Sequence, residues 1–136
     1  GKNIAPQPIE NRFCTNKYVT QMVVVGDRRQ YLSALVVPEF ETVGEYAAGK
    51  GAEDLTPGAL VADPDVQSLF QELIEELNAE LPGFSQIKKC SLLENEFTQE
   101  AGELTPTMKV KRFAVARKYR DVIDAMYPGE DMGDED

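Results

Sequence analysis

The chain has 136 residues, 42% of them hydrophobic and 28% charged, the size and composition of one globular domain with a core of its own. Its formal net charge is -10 and its pI about 4.5, the wrong sign for a general nucleic-acid surface. It has no histidine, which excludes Ser-His-Asp and Cys-His catalysis, histidine metal sites and imidazole pH switching.

In chain order, APQPIENRF reads as a short helix whose first turn takes Pro6 or Pro8, where no N–H is needed. Ile9 and Phe13, four apart, share one face of it. YVTQMVVVG and QYLSALVVP are rich in β-branched residues and flank a Gly26-Asp27 turn, which predicts a β-hairpin. Pro38 then opens a helix that Gly49 and Gly51 close, with Phe40, Val43 and Ala47 at helical spacing. AEDLTPGALVAD reads as a connecting stretch with turn residues. DPDVQSLFQELIEELNAELPG carries the strongest helix signal. Asp63 can cap it, Pro64 suits its first position, and Leu69, Leu73, Leu77 and Leu81 form its apolar stripe.

SQIKKCSLLEN suggests another strand, and EFTQEAGELTPTMK a loop containing Gly102 and Pro106. VKRFAVARKYRDVIDAMY reads as one last helix, with Phe113, Ala116, Tyr119 and Ile123 towards the core. Mixed elements with a hairpin give an α+β class: a small domain with a hairpin-based, mainly antiparallel sheet flanked by helices. The ending PGEDMGDED has the composition of a solvated, disordered tail, leaving residues 1–128 as the domain and 129–136 as the tail.

Few side-chain sets suggest chemistry. Cys14 and Cys90 match neither a zinc pattern nor a disulfide framework, and read as inert thiols in a reducing cytosol. No run of about 18 apolar residues exists, so no transmembrane segment is expected. Glu72, Glu75, Glu76 and Glu80 read as the solvated face of an amphipathic helix, which leaves open a non-catalytic domain binding a basic partner through its acids. The acidic tail lacks calcium-loop spacing, and the glycines form no phosphate loop. Gly1-Lys2-Asn3 could offer backbone donors ahead of the first helix. A start without Met or a signal layout reads as a piece cut from something larger.

LTPTMKVKR stands apart. Lys109, Lys111 and Arg112 follow a stiff Thr-Pro-Thr within an otherwise acidic chain. Pro106 restricts Thr105 to extended geometry and limits its own φ, so the segment can aim a lysine at little entropic cost. Lys is a flexible point charge suited to a phosphate oxygen. Two readings stay open on spacing alone: a cation held out to a phosphate, or three basic residues wetting a helix start.

Two stretches together carry a resemblance. GKNIAPQPIE resembles the loop after the inter-domain hinge of AMP-forming acyl-CoA synthetases, and ELTPTMKVKR resembles the lysine motif of the long-chain fatty acid branch of that adenylate-forming superfamily. The likeness runs from about Gly1 to Tyr127 and implies the small C-terminal lid domain of a fatty acid–CoA ligase. It implies a two-step reaction in which fatty acid and ATP give acyl-adenylate, and CoA then displaces AMP. It further implies Lys109 as the adenylation lysine and Gly1 and Lys2 as the loop lining the CoA pantetheine tunnel; Lys111, two positions on, is the fallback for that lysine and a candidate phosphate contact. The missing N-terminal domain would be the partner; fatty acid, ATP and CoA would be the substrates. Mg2+ would act in the full-length enzyme without binding this domain. The isolated domain would be inactive and cytoplasmic, with peripheral membrane contact open for the whole enzyme. A related lid that serves another acyl acceptor, such as a carrier protein, is the neighbouring alternative.

Overall fold

Valine, leucine and alanine dominate the central strand because helices and loops cover both of its faces. The computed structural model describes residues 5–26 and 29–129. Strand β1 (Val19–Val25) pairs antiparallel with β2 (Leu32–Pro38), from Val25 opposite Ser33 to Val19 opposite Pro38. Strand β3 (Ile87–Leu92) joins the other side of β2 in parallel, with Ala34 opposite Cys90. The order is β1-β2-β3, so β1 is an edge.

The α+β class holds, but the sheet is mixed rather than mainly antiparallel. The reason lies in the connection. Helices α2 (Phe40–Gly49), α3 (Pro57–Ala62) and α4 (Pro64–Asn78) stand between β2 and β3. Such a long crossover returns the chain to the starting end of the sheet, as a parallel neighbour requires.

Alternation along β2 sends Ala34 and Val36 to one face and Leu35 and Val37 to the other. The first face packs on α1 (Pro6–Phe13) through Ile9 and Phe13, on α2 through Val43 and Ala47, and on α4 through Leu69, Phe70 and Leu73. The second face packs on Phe97, Leu104 and the closing helices α5 (Arg112–Lys118) and α6 (Arg120–Ala125) through Val115 and Ile123. Helix α4 starts as its sequence dictates: the Asp63 carboxylate accepts from Asp65 N at 2.8 Å and Val66 N at 3.2 Å. Its acids Glu72, Glu75 and Glu76 are exposed.

The hairpin turn departs through Gly26, whose φ is +131°. A Cβ there would lie 2.7 Å from Tyr31 O and 2.9 Å from Tyr127 Oη, so only glycine fits. Asp27 lies outside the described residues, as do Gly1, Lys2 and the acidic residues 130–136.

Two expectations need correction. The stretch AEDLTPGALVAD contains α3, begun by Pro57 at its first position and anchored by the fully buried Leu60. The last helix is broken at Tyr119, whose backbone (φ −104°, ψ 28°) leaves the helical region. In α5 the inward position belongs to Val115. Phe113, two residues earlier and therefore about 200° around the helix, points outward and is 82% exposed. Ile123 is buried, while Ala116 and Tyr119 are half-buried.

Both cysteines are free and half-buried. Burial pushes the Cys90 thiol up to about 11, and burial with the nearby Glu10 charge raises Cys14. The expected result is that iodoacetamide modifies native Cys90 at pH 8 about 100-fold more slowly than in the unfolded chain, as mass spectrometry would read. Because the unfolded thiol loses its proton first, the Cys90 contribution to stability falls as pH rises from 9.0 to about 11. Equal alkylation rates in native and unfolded chains would refute the burial effect.

Candidate functional site

The lysine motif is a tight hairpin rather than a loose loop. Leu104 and Val110 form an isolated antiparallel bridge. Within it, Thr105 N donates to Lys109 O at 2.7 Å, Met108 N to Thr105 O at 2.8 Å, and Lys109 N to Thr105 Oγ1 at 3.1 Å. Pro106 sets one corner, and Met108 closes the turn in the left-handed region at φ 68°. The Gln99 side-chain amide braces the turn from outside, donating to Thr105 O at 3.1 Å and Pro106 O at 3.2 Å.

Glu103 fixes the base of the hairpin. Its buried carboxylate accepts from Thr98 N at 3.1 Å and from the Lys118 ammonium at 2.8 Å, while its carbonyl accepts from Lys111 N at 2.8 Å. The bond to Glu103 raises the Lys118 ammonium above the ordinary lysine range. A buried carboxylate with a cation and a backbone donor is satisfied, so this base is rigid.

The three cations of the motif separate into two kinds. Arg112 is committed: its Nη1 donates to Glu10 Oε2 at 2.5 Å and Val24 O at 3.0 Å, and its Nη2 to Glu10 Oε1 at 3.2 Å. Lys109 and Lys111 are exposed, and among the described residues neither ammonium has a hydrogen bond or ion pair. A stiff turn therefore presents two uncommitted positive charges on a strongly acidic chain, beside Met108, which is 63% exposed. An uncommitted ammonium can meet an anionic ligand without first breaking a protein contact.

Sequence reasoning placed Lys109 and Lys111 in this motif, and both stand on the hairpin. It did not separate Arg112 from them, because Glu10 is 102 positions away and no local pattern announces the pair. Gly1 and Lys2, the other expected site residues, lie outside the described residues. The acids on and after α4 form no competing centre. Glu80 pairs with Arg12 at 2.5 Å, and among the described residues no three Cys, Asp or Glu side chains converge to hold a metal.

Residues 1–131 match the family described as the AMP-binding enzyme C-terminal domain. The chain belongs to this family. As such a C-terminal domain it is 35% identical over 134 residues to the long-chain-fatty-acid–CoA ligase FadD15 of Mycobacterium tuberculosis, covering 96% of this chain and 22% of that protein. It is 34% identical over 130 residues to long chain acyl-CoA synthetase 7, peroxisomal, of Arabidopsis thaliana, covering 93% of this chain and 19% of that protein. Its fold matches the adenylation domain of a carboxylate reductase from Mycobacterium chelonae with a TM-score of 0.68 at 28% identity, over 93% of this chain and 18% of that one. The adenylation–carrier didomain of a carboxylic acid reductase from Segniliparus rugosus, solved with AMP, matches with a TM-score of 0.65 at 25% identity, over 91% and 16% of the two chains. The C-terminal domain thus spans about a fifth of the length of the curated relatives.

Proposed function

We propose that this C-terminal domain is the lid of a long-chain fatty acid–CoA ligase and supplies Lys109 to the adenylation step. The uncommitted Lys109 ammonium on a braced hairpin carries the reading. In the first half-reaction a fatty acid carboxylate oxygen attacks the α-phosphorus of ATP and pyrophosphate leaves. Negative charge gathers between the carboxylate and the α-phosphate, and no proton moves. A fixed cation there stabilises the transition state more than the separated ground state. One unit charge at about 4 Å, at an effective dielectric constant near 20, interacts by about 4 kcal/mol. In the second half-reaction the CoA thiolate attacks the acyl carbon and AMP leaves with the bonding electrons.

Gly1 and Lys2 take the second role, lining the pantetheine tunnel after the lid turns about a hinge. Lys111 serves as a secondary phosphate contact. Adenine, acyl chain and pyrophosphate contacts fall to the rest of the enzyme, so this domain alone is expected to be inactive. Mg2+ is expected to act in the full-length enzyme, held by groups outside this domain.

A second reading has its own support. The structural matches include an adenylation domain joined to a carrier protein, so the acyl acceptor could be a carrier-bound phosphopantetheine. Supplying the full-length enzyme with palmitate, ATP and either CoA or a phosphopantetheinylated carrier protein separates the two. Palmitoyl-CoA and AMP in equal amounts are expected. Acylation of the carrier with none of CoA would transfer the lid to the second class.

A further inference from the structure

We propose that Arg112, gripped by Glu10, is the positioning residue that aims Lys109. This rests on the adenylation role proposed for Lys109. From Thr105 to Ala114 no side chain is buried. Val110 packs partly against the core, and Phe113 points to solvent. Among the described residues, the only hydrogen bonds from this stretch to a distant part of the chain are those of the Arg112 guanidinium. The remaining bonds of the stretch are local, to Gln99, to Glu103 or within the turn.

The grip itself is a closed circuit. Val24 N donates to Glu10 Oε2 at 2.7 Å, Glu10 accepts both arms of Arg112, and Arg112 returns a donor to Val24 O at 3.0 Å. Val24 lies on β1, the edge strand, and these are its outward backbone groups. An edge N–H and C=O thereby find partners. Glu10 is only 9% exposed and sits on α1, which Ile9 and Phe13 bind to the opposite face of the sheet. Arg112 follows Lys109 by three residues and opens α5. The start of α5 is thus tied across the rim of the sheet to the layer that contains α1. Loss of the fork would leave the hairpin, but not its direction, intact. A planar two-armed donor is needed for that circuit, which lysine cannot reproduce.

The test uses the full-length enzyme. Arg112→Gln and Arg112→Lys are compared in single-turnover acyl-adenylate formation, in thioester formation from supplied acyl-adenylate, and again in a Lys109→Ala background. Misplacing a reacting group by about 1 Å can cost about 10²-fold. Arg112→Gln is therefore expected to lower the adenylation kcat by about 10- to 100-fold with little change in KM for ATP. Thioester formation should stay within about 2-fold, and in the Lys109→Ala background the same substitution should add almost nothing. Arg112→Lys, which keeps charge beside Glu10, should show the same selective loss at smaller size, and it decides the matter if Arg112→Gln does not fold. Equal losses in both half-reactions, or an undiminished effect without Lys109, would make Arg112 a merely structural residue and overturn the inference alone. An intact adenylation rate in Lys109→Ala would overturn the inference together with the reading beneath it.

Discussion

Replacing Lys109 with alanine in the full-length ligase is expected to slow acyl-adenylate formation by ~10²–10³-fold, about 3–4 kcal/mol of transition-state stabilisation. In the proposed role the ammonium acts where charge accumulates during attack on the α-phosphorus, so the loss should fall on kcat. Conversion of supplied acyl-adenylate to acyl-CoA should be nearly unchanged, because in the proposed cycle the lid turns Lys109 away before thioester formation. Lys109→Arg should recover little activity. A planar fork distributes its charge over a wider group than the point-like ammonium for which a tight site is shaped. Measuring the two half-reactions separately checks this, and equal losses in both would point to a folding defect.

Replacing Phe70 with alanine is expected to destabilise the chain by about 3–5 kcal/mol. Phe70 is 1% exposed in the layer that joins α4 to the sheet, among Ile9, Phe13, Val36 and Ile74. Truncation removes the ring from an apolar setting and leaves a void that fixed strands cannot close. Against a usual total of about 5–15 kcal/mol this is a large share. Equilibrium urea unfolding should show a lower midpoint with an unchanged slope. A loss below about 1 kcal/mol would mean that the layer collapses around the gap.

Much of this architecture was legible because the signals are local. Asp63-Pro64 with the Leu69, Leu73 and Leu77 stripe marks a helix, although Leu81, expected to continue the stripe, lies beyond its end at Asn78; the two β-branched runs about Gly26 mark a hairpin. Parallel addition of β3 was not legible, since strand direction depends on where three helices return the chain. Phe113 misled for a related reason. Its spacing with Ala116, Tyr119 and Ile123 assumes one helix, and the break at Tyr119 gives the inward position to Val115. Helix α3 was hidden by its turn-like Thr-Pro-Gly start, which here opens a helix instead.

The site shows the same division. Lys109 and Lys111 were visible as a cationic cluster after Pro106, because stiffness and charge are written in adjacent residues. The separate duty of Arg112 was not, because its partners Glu10 and Val24 reach it only through the fold. Glu103, holding the base of the hairpin from a buried position, looked like one more acid in an acidic chain.

Single-turnover acyl-adenylate formation, measured side by side for Lys109→Ala and Lys111→Ala in the full-length enzyme, tests the role of the hairpin most directly. Both substitutions remove one exposed charge that has no partner among the described residues from the same short segment, so their general electrostatic and folding effects should match. A loss of ~10²–10³-fold for Lys109→Ala with only a few-fold loss for Lys111→Ala is the expected result. A large defect confined to Lys111→Ala, or none in either variant, would contradict the assignment of Lys109 as the adenylation lysine.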